Sequence, residues 1–255
     1  MSYLLYCILP SRASLQGETL AGVHGQPVHL IKQNGLGAAV SAVTASDPGA
    51  DIFQLLTYKT VVESLHRHST VIPMRYGCLF NGKSQVVGLL ETRCREYRAL
   101  LRELEGCVEM GIRILTAEWG MRNAESTRKI QNLRPQISGR DYLAARREQY
   151  ARQEQAAKEN GAVLARCRGA FAGLFVKCKM DLAPLRTPRS AFHLSLPSLY
   201  FLVPGNCLET FHNEFRRLSA RESAKLLLSG PWPPYSFAQL EGNLAGGQPY
   251  QRGPF

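Results

Sequence analysis

The sequence of 255 residues predicts an α+β protein with two domains, because strand-like and helix-like segments follow one another in mixed order. Three observations lead to this prediction. The pair Asn34-Gly35 separates two apolar runs, which is typical of a tight hairpin turn. Apolar residues from Leu90 to Leu104 recur at spacings of four and three, as on one helix face. Apolar and polar residues then alternate from Val108 to Ile114, as in a half-buried strand.

Residues 1–118 are expected to form the N-terminal domain, with element order β, β-β, α, β, α, β. Asp47-Pro48 predicts a helix start, since aspartate caps helices and proline suits their first turn. We expect helices on one face of a mainly antiparallel sheet, close to a ferredoxin-like sandwich with an added hairpin. The predicted strands are Tyr3–Leu9, Val28–Gln33, Leu36–Val43 and Thr70–Met74, and the predicted core face of the first helix is Ile52, Leu55, Leu56, Val62 and Leu65.

The remaining chain is predicted in four segments. Residues 119–138 lack a sustained apolar period and predict a linker or mobile loop. Residues 139–172 predict a long basic helix, and residues 173–237 a smaller C-terminal α+β domain that ends in a proline strap. Residues 238–255 are rich in glycine and proline and predict a flexible tail.

The proline strap is the most distinctive segment: an apolar strand ending near Leu228 is followed by Gly230-Pro231-Trp232-Pro233-Pro234-Tyr235-Ser236-Phe237. Each proline fixes φ and removes a backbone donor, so we expect this segment not to extend a sheet. It should form a stiff, extended strap from which Trp232, Tyr235 and Phe237 project. The favoured interpretation is that these rings pack onto their own domain, and the alternative is a polyproline-type ligand for a partner.

Several stretches together resemble the gas vesicle protein F/L family (GvpF/GvpL). The strap resembles the C-terminal signature of that family, and Tyr3–Ile8 resembles its opening strand. Residues 71–77 resemble its Val-Leu-Pro-Leu-Arg-Phe-Gly turn, 101–111 its helix-to-strand joint, and 139–147 the start of its long helix. The resemblance spans residues 3–237. The motif or possible interaction residues are Pro73, Arg75, Tyr76, Gly77, Tyr142, Arg146, Arg147, Gly230, Pro231, Trp232, Pro233, Pro234 and Tyr235.

The resemblance implies an accessory or minor protein that helps nucleate or assemble the gas vesicle shell. Expected partners are the major gas vesicle shell protein and other gas vesicle accessory proteins, without a membrane, cofactor or reaction. The expected location is cytoplasmic and gas vesicle associated. The C-terminal domain with its strap, together with the basic helix, is the expected binding surface. Cys78 departs from the family pattern, where threonine or valine would be expected after the turn.

Two interpretations of the turn Pro73-Met74-Arg75-Tyr76-Gly77 remain open. In the favoured one the turn is architectural: Gly77 takes positive φ and Arg75 pairs with an acidic neighbour. In the other, Arg75 and Tyr76 form a surface that binds a partner.

The net charge of +11 is concentrated in one segment, because residues 120–190 hold 15 Lys/Arg against 6 Asp/Glu. Such a patch suggests nucleic acid as a partner, so a nucleic-acid-binding module is the alternative function. However, the segment lacks interleaved aromatic residues for base stacking and matches no known nucleic-acid-binding motif. A solvated basic helix, or one that docks on an acidic protein, explains the charge as well, so the sequence does not favour nucleic acid.

Patterns for enzyme chemistry are weak, and no enzyme activity is predicted. Gly35-Leu36-Gly37 lacks the third glycine of a dinucleotide loop, and no P-loop lysine motif is present. His66 and His68 are two residues apart on a predicted helix and would point to different sides, so no metal site is predicted. The seven cysteines include no C-x-x-C pair, and no apolar run reaches the length of a membrane helix.

Overall fold

The computed structural model describes residues 1–13, 20–43, 51–115, 147, 155, 158–181 and 197–238. The chain divides into two compact units, residues 1–109 with 231–255, and residues 110–230. The unit boundaries therefore fall within strands. The α+β class is confirmed. The strap, which the sequence analysis placed in the C-terminal domain, groups with the first unit instead.

The first unit is built on a five-stranded sheet in the order β2-β3-β1-β4, with β5 also paired to β1. All pairs in this sheet are antiparallel. The predicted hairpin is confirmed, with positive φ at both Asn34 and Gly35 as a type I′ turn needs. The strands are β1 (Ser2–Pro10), β2 (Val28–Gln33), β3 (Leu36–Val43), β4 (Ile72–Pro73) and β5 (Leu79–Asn81).

Helices pack against both faces of this sheet, which differs from the predicted single covered face. Leu4, Cys7 and Leu9 of β1 belong to a buried cluster with helix α1 (Ile52–His68). Leu5 and Ile8 lie outside that cluster and are equally buried. The second face meets helices α2 (Lys83–Thr92) and α3 (Cys94–Glu103). Both faces are covered because β1 is apolar along most of its length, so neither side of the strand is polar enough to face water.

Helix α1 begins later than predicted and buries a different face. Asp51, not Asp47, is the N-cap, and its carboxylate accepts a hydrogen bond from the backbone N–H of Phe53 at 3.1 Å. Asp47 and Pro48 lie outside the described residues. The buried residues are Tyr58, Val61, Val62 and Leu65, whereas the predicted core residues Ile52, Leu55 and Leu56 are exposed.

The predicted helix from Leu90 to Leu104 is two helices that meet at Arg93, where φ is −108° and ψ is 18°. Its predicted apolar face is nevertheless largely buried, at Leu90, Tyr97, Leu101 and Leu104. The chain leaves α3 through Gly106 at φ +67°, a conformation that glycine adopts without steric cost.

The second unit contains most of a four-stranded sheet in the order β7-β8-β6-β9. Strand β6 (Cys107–Leu115) belongs to this sheet and not to the first, which corrects the ferredoxin-like assignment. Strand β7 (Lys177–Asp181) was not predicted, although its lysines alternate with Cys178 and Met180 as in a half-buried strand. It pairs antiparallel with β8 (Ser198–Pro204), and β9 spans Lys225–Trp232.

Two helices and a group of aromatic rings complete the second unit. Residues 158–170 form helix α4, the described part of the predicted long basic helix, and Leu208–Arg221 form helix α5. Phe171, Phe201 and Phe211 are fully buried, with ring centroids 4.2 to 5.4 Å apart. Arg166 of α4 and Glu222, just after α5, form a two-point salt bridge at 2.8 Å, which lowers the pKa of the Glu222 carboxyl. No helix in the described ranges is long and apolar enough to cross a membrane.

A matched pair of glycine substitutions tests the packing of the first unit. A Cβ atom at Gly22 would collide with the Tyr6 hydroxyl and lie 3.1 Å from the Gln26 carbonyl oxygen. A Cβ at Gly88, inside α2, would meet nothing within 4 Å. We expect Gly22→Ala to lower the free energy of unfolding by about 1–3 kcal/mol. Gly88→Ala should raise it by about 0.5–1 kcal/mol through helix propensity.

Denaturant unfolding of both variants measures these changes. Equal stability of Gly22→Ala and the parent protein would contradict the described packing around Tyr6.

Candidate functional site

The first part of the strap belongs to a sheet, which corrects the expectation that the strap would not extend one: strand β9 runs through Gly230 and Pro231 to Trp232. Proline is tolerated at this position since β9 is the last strand in the described order of its sheet, where a missing N–H costs no ladder bond. Gly230 takes a φ of +113°. Beyond Pro233 and Pro234 the chain turns: the N–H of Tyr235 donates to the Pro233 carbonyl at 2.8 Å.

The rings of the strap pack on the first unit, the unit to which the strap itself belongs. Tyr235 packs against the buried cluster of α1 and β1, and Phe237 is buried. Trp232 is half-buried, and the Lys59 ammonium of α1 lies 4.3 Å from its ring centroid. Such a cation–π contact is worth about 0.5–1 kcal/mol at an exposed position. These contacts support the interpretation that the strap packs on its own protein.

A buried carboxylate holds the end of the strap. Glu109 of β6 was expected on the solvent side of its strand, but it is only 5% exposed. One of its oxygens accepts from the Ser236 N–H at 2.7 Å, and the other accepts from the Ser236 hydroxyl at 2.8 Å. Both oxygens of the Glu109 side chain thus bond to one residue, and these two hydrogen bonds fix the strap at its far end.

The turn Pro73–Gly77 is held to helix α1 by the hydroxyl group of Tyr58. This hydroxyl is 2.9 and 3.1 Å from the carbonyl oxygens of Leu5 and Tyr6, and 3.0 and 3.3 Å from those of Met74 and Arg75. The hydroxyl has one proton, so it donates to one or two of these four acceptors at a time. The β1 register shifts between Leu5 and Cys7, and this irregularity turns two carbonyls toward α1.

Aromatic rings surround this hydroxyl. The Tyr6 ring stacks on Tyr58 with centroids 4.8 Å apart, and the Tyr76 ring meets Tyr58 edge-on at 5.2 Å. Burial raises the pKa of Tyr58 well above its ordinary value, and it also raises the pKa of Tyr235. Both phenols are therefore neutral at physiological pH, and Tyr58 keeps the proton that it donates.

The architectural interpretation of Pro73–Gly77 agrees with the backbone and with Tyr76. Gly77 takes a φ of +91°, and Pro73 and Met74 are buried. Arg75 differs from the expectation, because its side chain is exposed and forms no salt bridge with any residue in the described parts of the chain. A role for Arg75 in binding remains a prediction.

Only one of the three predicted residues of the long helix belongs to the described part of the chain. Tyr142 and Arg146 lie outside the described residues, and Arg147 is helical and exposed. The strap and the Pro73–Gly77 turn are brought together, because Tyr235 and Tyr76 both pack against the same buried cluster. No group of three metal-ligating side chains occurs in the ranges that the structure describes.

Sequence reasoning missed an exposed apolar surface at the start of α1, here called the α1 face. Its four residues are 44% to 72% exposed: Ile52, Phe53, Leu55 and Leu56. At 100° per residue they cover about 160° of the helix circumference, opposite Tyr58 and Val61. A helix that is apolar on all sides is normally covered on all sides. The signal in the sequence was Phe53, which extends the apolar set beyond one core-facing stripe.

Removal of the Tyr58 hydroxyl tests its structural role. Tyr58→Phe keeps the ring but removes the buried hydroxyl donor that the four carbonyl oxygens share, so we expect a loss of about 1–3 kcal/mol in the free energy of unfolding. Tyr3→Phe is the matched control, because no hydrogen bond of the Tyr3 hydroxyl forms part of this turn. Urea unfolding of the two variants gives the comparison, and an equal effect would contradict the role of Tyr58.

Comparison with known proteins confirms the family resemblance. The family model described as gas vesicle synthesis protein GvpL/GvpF matches residues 2–239. Gas vesicle protein L of a Streptomyces species is 27% identical over 88% of this chain and 87% of its own length. Gas vesicle protein F1 of Halobacterium salinarum is 30% identical over 40% of this chain, and that match spans only 48% of the relative.

The fold agrees with solved structures. The crystal structure of GvpF from Microcystis aeruginosa superposes with a TM-score of 0.71 at 19% identity, covering 94% of this chain and 99% of that one. GvpF from Anabaena superposes with the same TM-score at 18% identity. With a family model that matches nearly the whole sequence, the chain belongs to the gas vesicle synthesis protein GvpL/GvpF family.

Proposed function

We propose that this protein takes part in nucleation or assembly of the gas vesicle shell, by binding the major shell protein and other accessory proteins. The observation that carries the proposal is the family match across residues 2–239, which supports a role connected with gas vesicles. The proposed location is the cytoplasm, in association with gas vesicles. The protein acts in this proposal by binding and not by catalysis.

The physical need for such a protein follows from the shell itself. A small hydrophobic shell protein exposes apolar surface before it assembles, and such surface aggregates in water unless it is covered. A binding protein for this purpose needs an apolar area of its own that stays accessible. The α1 face supports the proposal in this respect, since half of the large hydrophobic side chains found exposed in the described residues lie within it.

Co-expression with the major shell protein tests the proposal. We expect affinity purification of this chain to retain the shell protein at both low and moderate salt, because apolar contacts are weakened little by screening. The measurement is the ratio of shell protein to this chain in the eluate at each salt concentration. An unrelated protein with the same affinity tag is the control.

Two outcomes would contradict the proposal. One is a shell protein ratio no higher than that of the control at either salt concentration. The other is nucleic acid in the eluate that is lost with rising salt while the shell protein is absent, which would favour the nucleic-acid-binding alternative based on residues 120–190.

A further inference from the structure

We infer that the α1 face is the surface that holds the shell protein before assembly, and that its occupant is the apolar surface of one shell subunit. This inference rests on the proposed function and adds the place of binding. The α1 face is formed by Ile52, Phe53, Leu55 and Leu56 at the beginning of helix α1.

The α1 face is a fixed surface, because the helix beneath it is anchored. On its inner side, Tyr58 is buried and its hydroxyl lies within hydrogen-bonding distance of four carbonyl oxygens. At the first turn of the helix, the Asp51 carboxylate accepts a hydrogen bond from the Phe53 N–H at 3.1 Å. The Gln54 side chain accepts another from the His24 N–H at 2.8 Å. A rigid helix presents its side chains without a further ordering cost on binding.

The α1 face extends toward the strap along one flank. Leu55 and Lys59 are one turn apart and therefore neighbours on the helix surface. The Lys59 ammonium lies over the half-buried Trp232 ring and also pairs with Glu63 at 3.4 Å. These two charged side chains are thus engaged with each other, and the neighbouring apolar side chains are groups that can gain from burial.

Charge also favours an apolar partner for this unit. The first unit holds 11 Lys/Arg and 10 Asp/Glu, so it is nearly neutral, and almost all of the net charge of +11 belongs to residues 110–230. Electrostatic attraction of an acidic partner would therefore act on the second unit. A ligand of the α1 face is selected by hydrophobic contact.

The size of the α1 face argues against a second copy of this chain. Its four side chains expose on the order of 400 Å² in total, given about 150–250 Å² for a large apolar side chain. A stable protein interface buries about 800 Å² per partner. An area half that size suits a complex that forms and releases, as an assembly factor that passes on its subunit requires.

A double substitution tests the inference in the full chain co-expressed with the shell protein. Phe53→Gln with Leu56→Gln removes apolar area and keeps a good helix former at each position. We expect the shell protein retained at moderate salt to fall at least about tenfold, since each side chain contributes in proportion to its buried area. Val176→Gln with Leu227→Gln is the comparison variant, because these side chains are 55% and 44% exposed in the second unit. They lie in the C-terminal domain that the sequence analysis expected to bind, whereas the inference places binding on the α1 face and predicts unchanged retention for this variant.

The outcomes separate the inference from the proposed function. Retention lost in the α1 variant and kept in the comparison variant supports the inference. Equal retention by the α1 variant and the parent chain overturns the inference and leaves the proposed function in place. No retention by the parent chain overturns both.

Two further readouts identify other occupants. A melting temperature that falls by more than about 5 °C in the α1 variant would mean that these side chains are covered by their own chain, and would overturn the inference. Light scattering that shows a parent dimer, and a monomer for the α1 variant, would assign the face to a second copy and overturn it as well.

Discussion

The hydroxyl group of Tyr58 is the contact on which most of the first unit depends. It joins helix α1 to the irregular point of β1 and to the turn after β4 through four carbonyl oxygens. Loss of a buried hydrogen-bond donor is costly, and this phenol is a donor within reach of two segments of backbone. The Tyr235 ring of the strap packs against the same cluster. Helix α1 and the turn after β4 are therefore held to β1 by one side chain, and the strap packs on the same cluster and is also held by Glu109.

Sequence patterns predicted an element well where neighbouring residues determine its conformation. The hairpin at Asn34-Gly35 follows from two residues that accept positive φ, and the bounds of β2 and β3 were predicted to the residue. Pairing between distant strands has no such local cause. The alternation in β6 identifies a strand but not the sheet that it joins, so its assignment to the first sheet was wrong.

In the candidate site, too, the features with a local signal in the sequence were easier to predict than those that depend on distant residues. The prolines of the strap and Gly77 indicate unusual backbone, and Gly77 takes the expected positive φ. The expectation that the strap would not extend a sheet was wrong, because β9 runs through Pro231 to Trp232. Burial of Glu109 was not predictable, because its partner Ser236 is 127 residues away. The α1 face was assigned to the core because an apolar residue carries no sign of which side of a helix will be covered. Solvent exposure of Phe53 and Leu56 became visible only in the folded chain.

The most direct test of this account is photo-crosslinking from the α1 face during co-expression with the shell protein. A photoreactive amino acid would replace Leu56 in one variant and Leu227, an exposed residue of β9, in another. The account predicts a crosslinked product of this chain with one shell subunit from position 56 and little or none from position 227. Crosslinks to the shell protein from position 227 alone would contradict it.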